Sequence, residues 1–283
     1  MKKILILLVI GFLILVTGCG RTTPNLEPEL IEYHKGTQGL EMNFVRNLPP
    51  DEISEGSEFI IGLELRNKGA YDIENGEISV SGYDQSKIQI NEHGKYFNIE
   101  GKKPGFPEGG YEIINFRGKN IDFPKIKETD PARFKIITRY DYQTEAGAEV
   151  CINPDIYSHV KTKEKICEPK EIILSDGQGA PVAVTKIQQE AVPFENRIRI
   201  KFNIYMENKG EGDIKDNITL DEVRLANVPI TCTKNNIELE EDEKIECYTE
   251  ILAGAGAYLT SLSIKLDYGY ISRIGKIVQI RKQ

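Results

Sequence analysis

Apolar and polar positions alternate in two stretches of the same design. From Glu58 to Asn67 the apolar residues fall at Phe59, Ile61, Leu63 and Leu65, and from Arg197 to Asn208 at Ile198, Ile200, Phe202, Ile204 and Met206. A period of two is the signature of a strand with one buried face. Each stretch runs into the same turn, Asn67-Lys68-Gly69 with Asp72-Ile73 after it, and Asn208-Lys209-Gly210 with Asp213-Ile214 after it, at a constant offset of 141. The inward positions stay in register, so the chain contains an internal repeat.

Shorter alternations precede each copy: Leu40, Met42 and Phe44 before Pro49-Pro50, and Val182 and Val184 before Pro193. Late in each copy, Arg139-Tyr140-Asp141-Tyr142 answers Lys265-Leu266-Asp267-Tyr268 at an offset of 126, which makes the first copy 15 residues longer. The extra length is expected between Asp84 and Pro131, where Gly101, Pro104, Gly105, Pro107, Gly109 and Gly110 break the alternation, as one large excursion loop. No stretch carries a long 3.6-residue apolar period. The pattern predicts an all-β protein of two tandem immunoglobulin-like antiparallel β-sandwiches, at 38–175 and 180–283, joined by the linker-like Ser175-Asp176-Gly177-Gln178-Gly179-Ala180-Pro181. Each is expected to close its own core. A residue after Asn-Lys in such a turn often takes positive φ, which marks Gly69 and Gly210 as sensitive turn glycines.

The amino terminus adds an address. Lys2 and Lys3 precede the apolar run Ile4–Val16, 13 residues that are short for a membrane span and right for a signal sequence. Val16-Thr17-Gly18-Cys19 then resembles the lipobox of prokaryotic lipoproteins, with Cys19 as the lipidation candidate. An uncleaved anchor helix is the alternative. Either way residues 1–19 are signal or anchor, 20–37 a tether, and the rest faces outside the cytoplasm in the cell envelope, attached to the membrane.

The Asn-Lys-Gly strands, the Glu55-Gly56 turn and Leu266-Asp267-Tyr268-Gly269-Tyr270 resemble the CARDB-type, cell-adhesion-related Ig-like domains of bacterial and archaeal surface proteins. Gly36-Thr37-Gln38-Gly39-Leu40 with Pro49-Pro50-Asp51-Glu52 is similar to archaeal extracytoplasmic proteins of this two-domain layout. The resemblance implies an Ig-like fold and brings no activity with it.

Candidate chemistry is sparse. Beyond Cys19 the cysteines fall two per copy, Cys151 with Cys167 and Cys232 with Cys247, and an even number in an exported chain reads as disulfides. Of three connectivities, the pairing within each copy closes the shortest loops; a zinc site would need closer spacing or more histidine than His159. His34 and His93 stand alone. The run Glu238-Leu239-Glu240-Glu241-Asp242-Glu243 reads as a solvated hairpin tip, with calcium as its alternative. Asn217-Ile218-Thr219 is a glycosylation sequon. Tyr140, Tyr142, Tyr268 and Tyr270 alternate on late strands, in a core or as a sugar platform. Tyr96, Phe97, Phe106 and Tyr111, with Phe116 and Phe123, are the aromatic candidates for an interaction surface in the excursion.

With Lys+Arg 36 against Asp+Glu 44, the net charge of -8 argues against nucleic acid as a partner. No nucleophile or phosphate-loop motif appears. The expected function is a non-catalytic, membrane-tethered envelope module that binds another envelope protein or a glycan, with no cofactor and no metal. An accessory subunit of a secretion, pilus or transport machine is the alternative, and a hydrolase using Asp122 and Glu128 is a third and weaker reading.

Overall fold

The computed structural model describes residues 33–121, 128–154, 167–239, 244–252 and 256–282. Cys19, the signal segment, most of the tether, Asp122, Phe123, His159 and residues 240–243 of the acidic run lie outside them. The described residues form strands and no helix. In the first half these are β1 (Leu40–Phe44), β2 (Glu52–Ser54), β3 (Glu58–Asn67), β4 (Ile73–Ser81), β5 (Ile88–Ile90), β6 (Gly94–Ile99), β7 (Tyr111–Asn120) and β8 (Thr129–Ile152). The second half opens with β9 (Ile172–Ile173), β10 (Val182–Phe194), β11 (Arg197–Asn208) and β12 (Asp213–Leu225). It closes with β13 (Val228–Pro229), β14 (Thr231–Cys232), β15 (Asn236–Ile237), β16 (Lys244–Leu252) and β17 (Tyr258–Arg281). Both alternating stretches are strands, β3 and β11, as their period requires.

The excursion is not a loop. Three strands, β5, β6 and β7, lie within 84–131, and β7 is a central strand of its sheet, paired with β3 from Glu58↔Lys119 to Arg66↔Tyr111. Among the described residues of 84–131 most of the glycines and prolines gather in the connection between β6 and β7, which has the loop character expected of the whole.

Among the described residues three sheets result. A four-stranded sheet runs β1-β3-β7-β5, a five-stranded one β14-β16-β11-β10-β9, and an eight-stranded one is built on β13-β12-β17-β8-β4-β6 with β2 and β15 attached. The large sheet belongs to both halves. β8 and β17 pair antiparallel over 24 residues, from Tyr258↔Ile152 to Arg281↔Thr129. Their even-numbered residues, Asp130 to Ala146 on β8 and Leu262 to Tyr270, Val278 and Ile280 on β17, are buried on one face. A single apolar core cluster runs through both halves, and Glu32–Gln283 is one compact unit. The expectation of two self-sufficient cores is therefore not met, because the last strand of each half completes its sheet on the other.

The supposed linker is docked as well. Gly36 N–H donates to Asp176 C=O, Gly179 N–H to Gly36 C=O and Ala70 N–H to Gly179 C=O, each at 2.7 Å. Gly177 and Gly179 take positive φ, 68° and 67°, to make these contacts. Gln178, Gly179 and Ala180 are buried, a poor state for a hinge.

The strand register also corrects the repeat. Leu40 pairs with Asn67 and Val182 with Asn208, so Leu40 matches Val182. The Tyr140 hydroxyl accepts from Leu40 N–H at 3.3 Å and the Tyr268 hydroxyl from Val182 N–H at 3.3 Å. Tyr140 thus matches Tyr268, and the late offset is 128 (268 − 140), not 126. A slip of two keeps every inward side chain inward, which is why the apolar pattern did not reveal it. The first half is longer by 13 residues (141 − 128). Phe116 opposes Ile61 as Cys247 opposes Phe202, an offset of 131 (247 − 116), so 10 of the 13 precede β7 and 3 follow it. In the β8–β17 ladder Asp141 pairs with Gly269, its own equivalent (269 − 141 = 128), which puts a pseudo-two-fold axis through that pair.

Candidate functional site

Around the axis lie the four alternating tyrosines. Their rings close a circuit, Tyr140–Tyr142 at 5.7 Å, Tyr142–Tyr268 at 6.4 Å, Tyr268–Tyr270 at 6.3 Å and Tyr270–Tyr140 at 5.9 Å between centroids. All four are buried, so they are core and form no sugar platform. Each hydroxyl has a main-chain partner. Tyr142 donates to Asn67 Oδ1 at 3.1 Å and accepts from Tyr71 N–H at 3.4 Å; Tyr270 donates to Asn208 Oδ1 at 3.0 Å and accepts from Gly212 N–H at 2.9 Å. The two asparagines shape their turns alike: Oδ1 accepts from the glycine N–H two residues on, and Nδ2 donates to the carbonyl four residues on, at Tyr71 and Gly212. This is the physical content of the Asn-Lys-Gly repeat. Asparagine side chains fix such turns because their oxygen reaches the main chain two residues ahead.

Neither Gly69 nor Gly210 has the expected positive φ. Glycine is required there by close approach: a Cβ on Gly69 would stand 1.9 Å from the Tyr142 hydroxyl, and one on Gly210 2.3 Å from that of Tyr270.

Burial pushes the Tyr140, Tyr142 and Tyr268 hydroxyls well above the ordinary phenol range. The unfolded chain ionises these phenols near pH 10 while the folded one keeps them neutral. Their contribution is therefore complete below about pH 10 and falls as pH rises above it, by up to about 1.4 kcal/mol per pH unit for each. In an alkaline titration, these phenolate absorbances are expected to appear together with loss of the strand signal in circular dichroism. Ionisation of all 13 tyrosines near pH 10 with the strand signal intact would contradict the buried network.

The outer side of the shared sheet carries an open groove of about 710 Å³ over the axis. It lies between two equivalent irregularities, Asn75 with φ 54° and Asp216 with φ 61° (216 − 75 = 141), where β4 and β12 shift register. Asp72, Glu74, Asp141, Asp216 and Asp267 line it with Lys215. The groove is acidic, and no group of three or more metal-ligating side chains occurs among the described residues. Asn217 is exposed on its rim, inside β12.

The aromatic candidates divide. Tyr96 is 72% exposed, Phe106 38% and Tyr111 63%. Phe97 and Phe116 belong to the core, so Phe97 is not part of an interaction surface: its ring lies over Gly76, where a Cβ would meet it at 2.4 Å. Phe106 sits at the tip of a hairpin. Pro104 and Gly105, with φ 81°, make a type II turn closed by Phe106 N–H donating to Lys103 C=O at 2.8 Å. The base is fixed on the first Asn-Lys-Gly turn, through Lys102 N–H to Gly69 C=O at 2.8 Å and Gly101 N–H to Asp72 Oδ1 at 2.7 Å. Beside it on β7 lie exposed Tyr111, under the Arg66 guanidinium at 5.1 Å, and Ile113.

Cys151 is bonded to Cys167 and Cys232 to Cys247, the pairing within each half. Cys232 and Cys247 are direct cross-strand neighbours on β14 and β16. Non-reducing peptide mapping should return these two links, and loops of this length make each bond worth about 3 kcal/mol. Full reduction is expected to lower the denaturation midpoint accordingly. His34 and His93 are exposed and lie against the Tyr71 and Tyr83 hydroxyls. Glu128 is described, but its hydrolase partner Asp122 is not.

No family model matches the chain, and no curated protein matches it. Among solved structures it is similar to the secreted serine protease VesC from Vibrio cholerae at 13% identity and a TM-score of 0.23, over 87% of this chain and 52% of that one. The chain thus spans about half the length of VesC. It is also similar to the sporulation control protein Spo0M from Bacillus subtilis at 13% identity and a TM-score of 0.17, over 60% of this chain and 80% of that one. Likenesses this low carry no argument about fold or activity.

Proposed function

We propose that the protein is a non-catalytic, membrane-tethered module of the cell envelope that binds another surface protein or glycan through the hairpin between β6 and β7. The observation that carries this reading is the exposed Phe106 on a turn whose base is hydrogen-bonded to the body of the protein, with Tyr111 and Ile113 exposed on the strand that follows. Rigid scaffolds that present loops are where binding function concentrates, and an aromatic side chain held in the open is a suitable anchor. Each half is read as a CARDB-type Ig-like sandwich, and Val16-Thr17-Gly18-Cys19 as the membrane attachment. Two disulfides suit an oxidising compartment outside the cytoplasm.

Photo-crosslinking in the host tests it. A diazirine side chain at Phe106 or Tyr111 should give one discrete adduct, and the same group at Val228, as exposed as Tyr111 and more exposed than Phe106, should give none. Replacing 103–107 by Gly/Ser should remove the Tyr111 adduct and leave the melting temperature unchanged. Equal adduct patterns from all three positions would overturn the reading.

A further inference from the structure

The two halves finish their small sheets differently. In the second half the free edge of β10 is covered by the segment before it: Gln178 Oε1 accepts from Val184 N–H at 2.9 Å and Nε2 donates to Val184 C=O at 3.1 Å. A side-chain amide stands there in place of a neighbouring strand. The same segment caps the first half's turn, where Ala70 N–H donates to Gly179 C=O at 2.7 Å. β9 continues the cover opposite Lys186 and Ile187.

The pseudo-two-fold axis carries this slot onto a second one, with Met42 in the place of Val184 and Glu211 in the place of Ala70 (211 − 70 = 141). There the structure has a cleft of about 390 Å³, between β1, the turn at Lys209–Gly212 and Arg273. Lys68 N–H donates to Gly39 C=O and Val45 N–H to Gly62 C=O, so the odd-numbered residues of this edge face β3. Alternation in an antiparallel pair then turns the N–H and C=O of Met42 to the cleft side. Glu211 N–H, whose counterpart in Ala70 is bonded, has no hydrogen-bond partner among the described residues. Of the stretch that symmetry places there, Thr37, Gln38 and Gly39 line the cleft, while Gly36, in the place of Gln178, bonds Asp176 and Gly179 instead and brings no side chain to Met42.

We infer that this cleft is a peptide-binding site for an extended segment carrying a glutamine followed by a glycine, the chemistry that fills its twin. The glutamine amide clamps Met42 as Gln178 clamps Val184. The glycine lays its carbonyl on Glu211 N–H, at a place where a Cβ on Gly179 would stand 2.8 Å from the Ala70 Cβ. Recognition is mainly through the main chain, as in strand addition to a sheet edge. The hairpin plays no part in it, so this site and the binding role proposed above are tested separately.

The probe is the blocked peptide Ser-Asp-Gly-Gln-Gly, this chain's own residues 175–179, carrying a photo-crosslinker at its amino end and added to the full-length protein. Saturable binding with a Kd of about 1 mM or tighter is expected, with crosslinks mapping to 37–43 and 209–212. Replacing the peptide's glutamine by leucine should weaken binding at least about fivefold, because the Met42 groups lose their partner. Glu211→Ala keeps the N–H and should bind as the parent does; Glu211→Pro removes it and should bind at least about tenfold more weakly, at a melting temperature near that of the alanine variant. No saturable binding, crosslinks elsewhere, equal affinity for the leucine peptide, or crosslinks joining two copies of the protein through β1 would each overturn the site.

Discussion

Residues 180–283 produced without the first half are expected to remain unfolded, even under oxidising conditions that form the Cys232–Cys247 bond. β17 would lose its 24-residue ladder with β8 and present a strand edge of that length, together with an apolar face that the partner half closes. Edges so long and apolar are templates for aggregation. The loss reaches the centre of the fragment: Tyr268 would lose the Thr144 hydroxyl at 3.0 Å, and Tyr270 the Tyr140 ring at 5.9 Å. The far end of β17 would also lose β2, whose Glu52–Ser54 pairs in parallel with Gln279–Arg281. Circular dichroism and amide-resolved spectra of the fragment check this. The matching expectation for the whole protein is one calorimetric transition with equal calorimetric and van't Hoff enthalpies. A fragment that unfolds cooperatively, or two transitions in the parent of which Gly210→Val moves only one, would show that the shared sheet does not couple the halves.

The second large effect is expected at Gly69. An alanine there brings its Cβ to 1.9 Å from the Tyr142 hydroxyl, 2.6 Å from Gly179 C=O and 2.7 Å from Gln38 C=O. The two carbonyls are main chain and cannot rotate away, so the turn or the docked segment has to shift. Overpacking of this kind costs about 1 to 3 kcal/mol. Displacing the Tyr142 hydroxyl from Asn67 leaves buried polar atoms without partners, at about 1 to 3 kcal/mol more. Gly69→Ala is therefore expected to destabilise by about 2 to 6 kcal/mol, the sum of those two ranges. Gly147 is the control. It lies in β8 with nothing within 4 Å of an added Cβ and no positive φ, so Gly147→Ala should be stabilising by about 0.5 to 1 kcal/mol through the strand's backbone entropy. Urea denaturation at matched slope reads both. Equal effects at the two positions would mean that the contact around Tyr142 is looser in solution than the distances here.

Part of the candidate surface was legible in the sequence and part was not. Phe106 and Phe97 are both aromatic residues in a glycine- and proline-rich stretch, yet one is exposed on a turn and the other covers Gly76 in the core. Their separation depends on β6 joining the edge of the large sheet, and nothing local to residue 97 announces that partner. The peptide cleft had no sequence signal of its own. It exists because Gly36 bonds the second half and leaves the edge of β1 uncovered.

What the sequence determined by itself is what repeats at short range. The period-two alternations set β3 and β11 and their inward faces, the Asn-Lys-Gly offset of 141 marked two related halves, and cysteines 16 and 15 residues apart were near enough to pair within each half. These follow from the pleat, from turn chemistry and from loop closure, which act over a few residues. Only the tertiary structure decided that β8 and β17 pair with each other, that the true late offset is 128 and that the docked segment 175–181 is no hinge. A strand's alternation says which face is buried and is silent about which strand lies beside it. A slip of two leaves the pattern unchanged, and the tyrosine hydroxyls that distinguish one register from another find their partners 58 to 124 residues away along the chain.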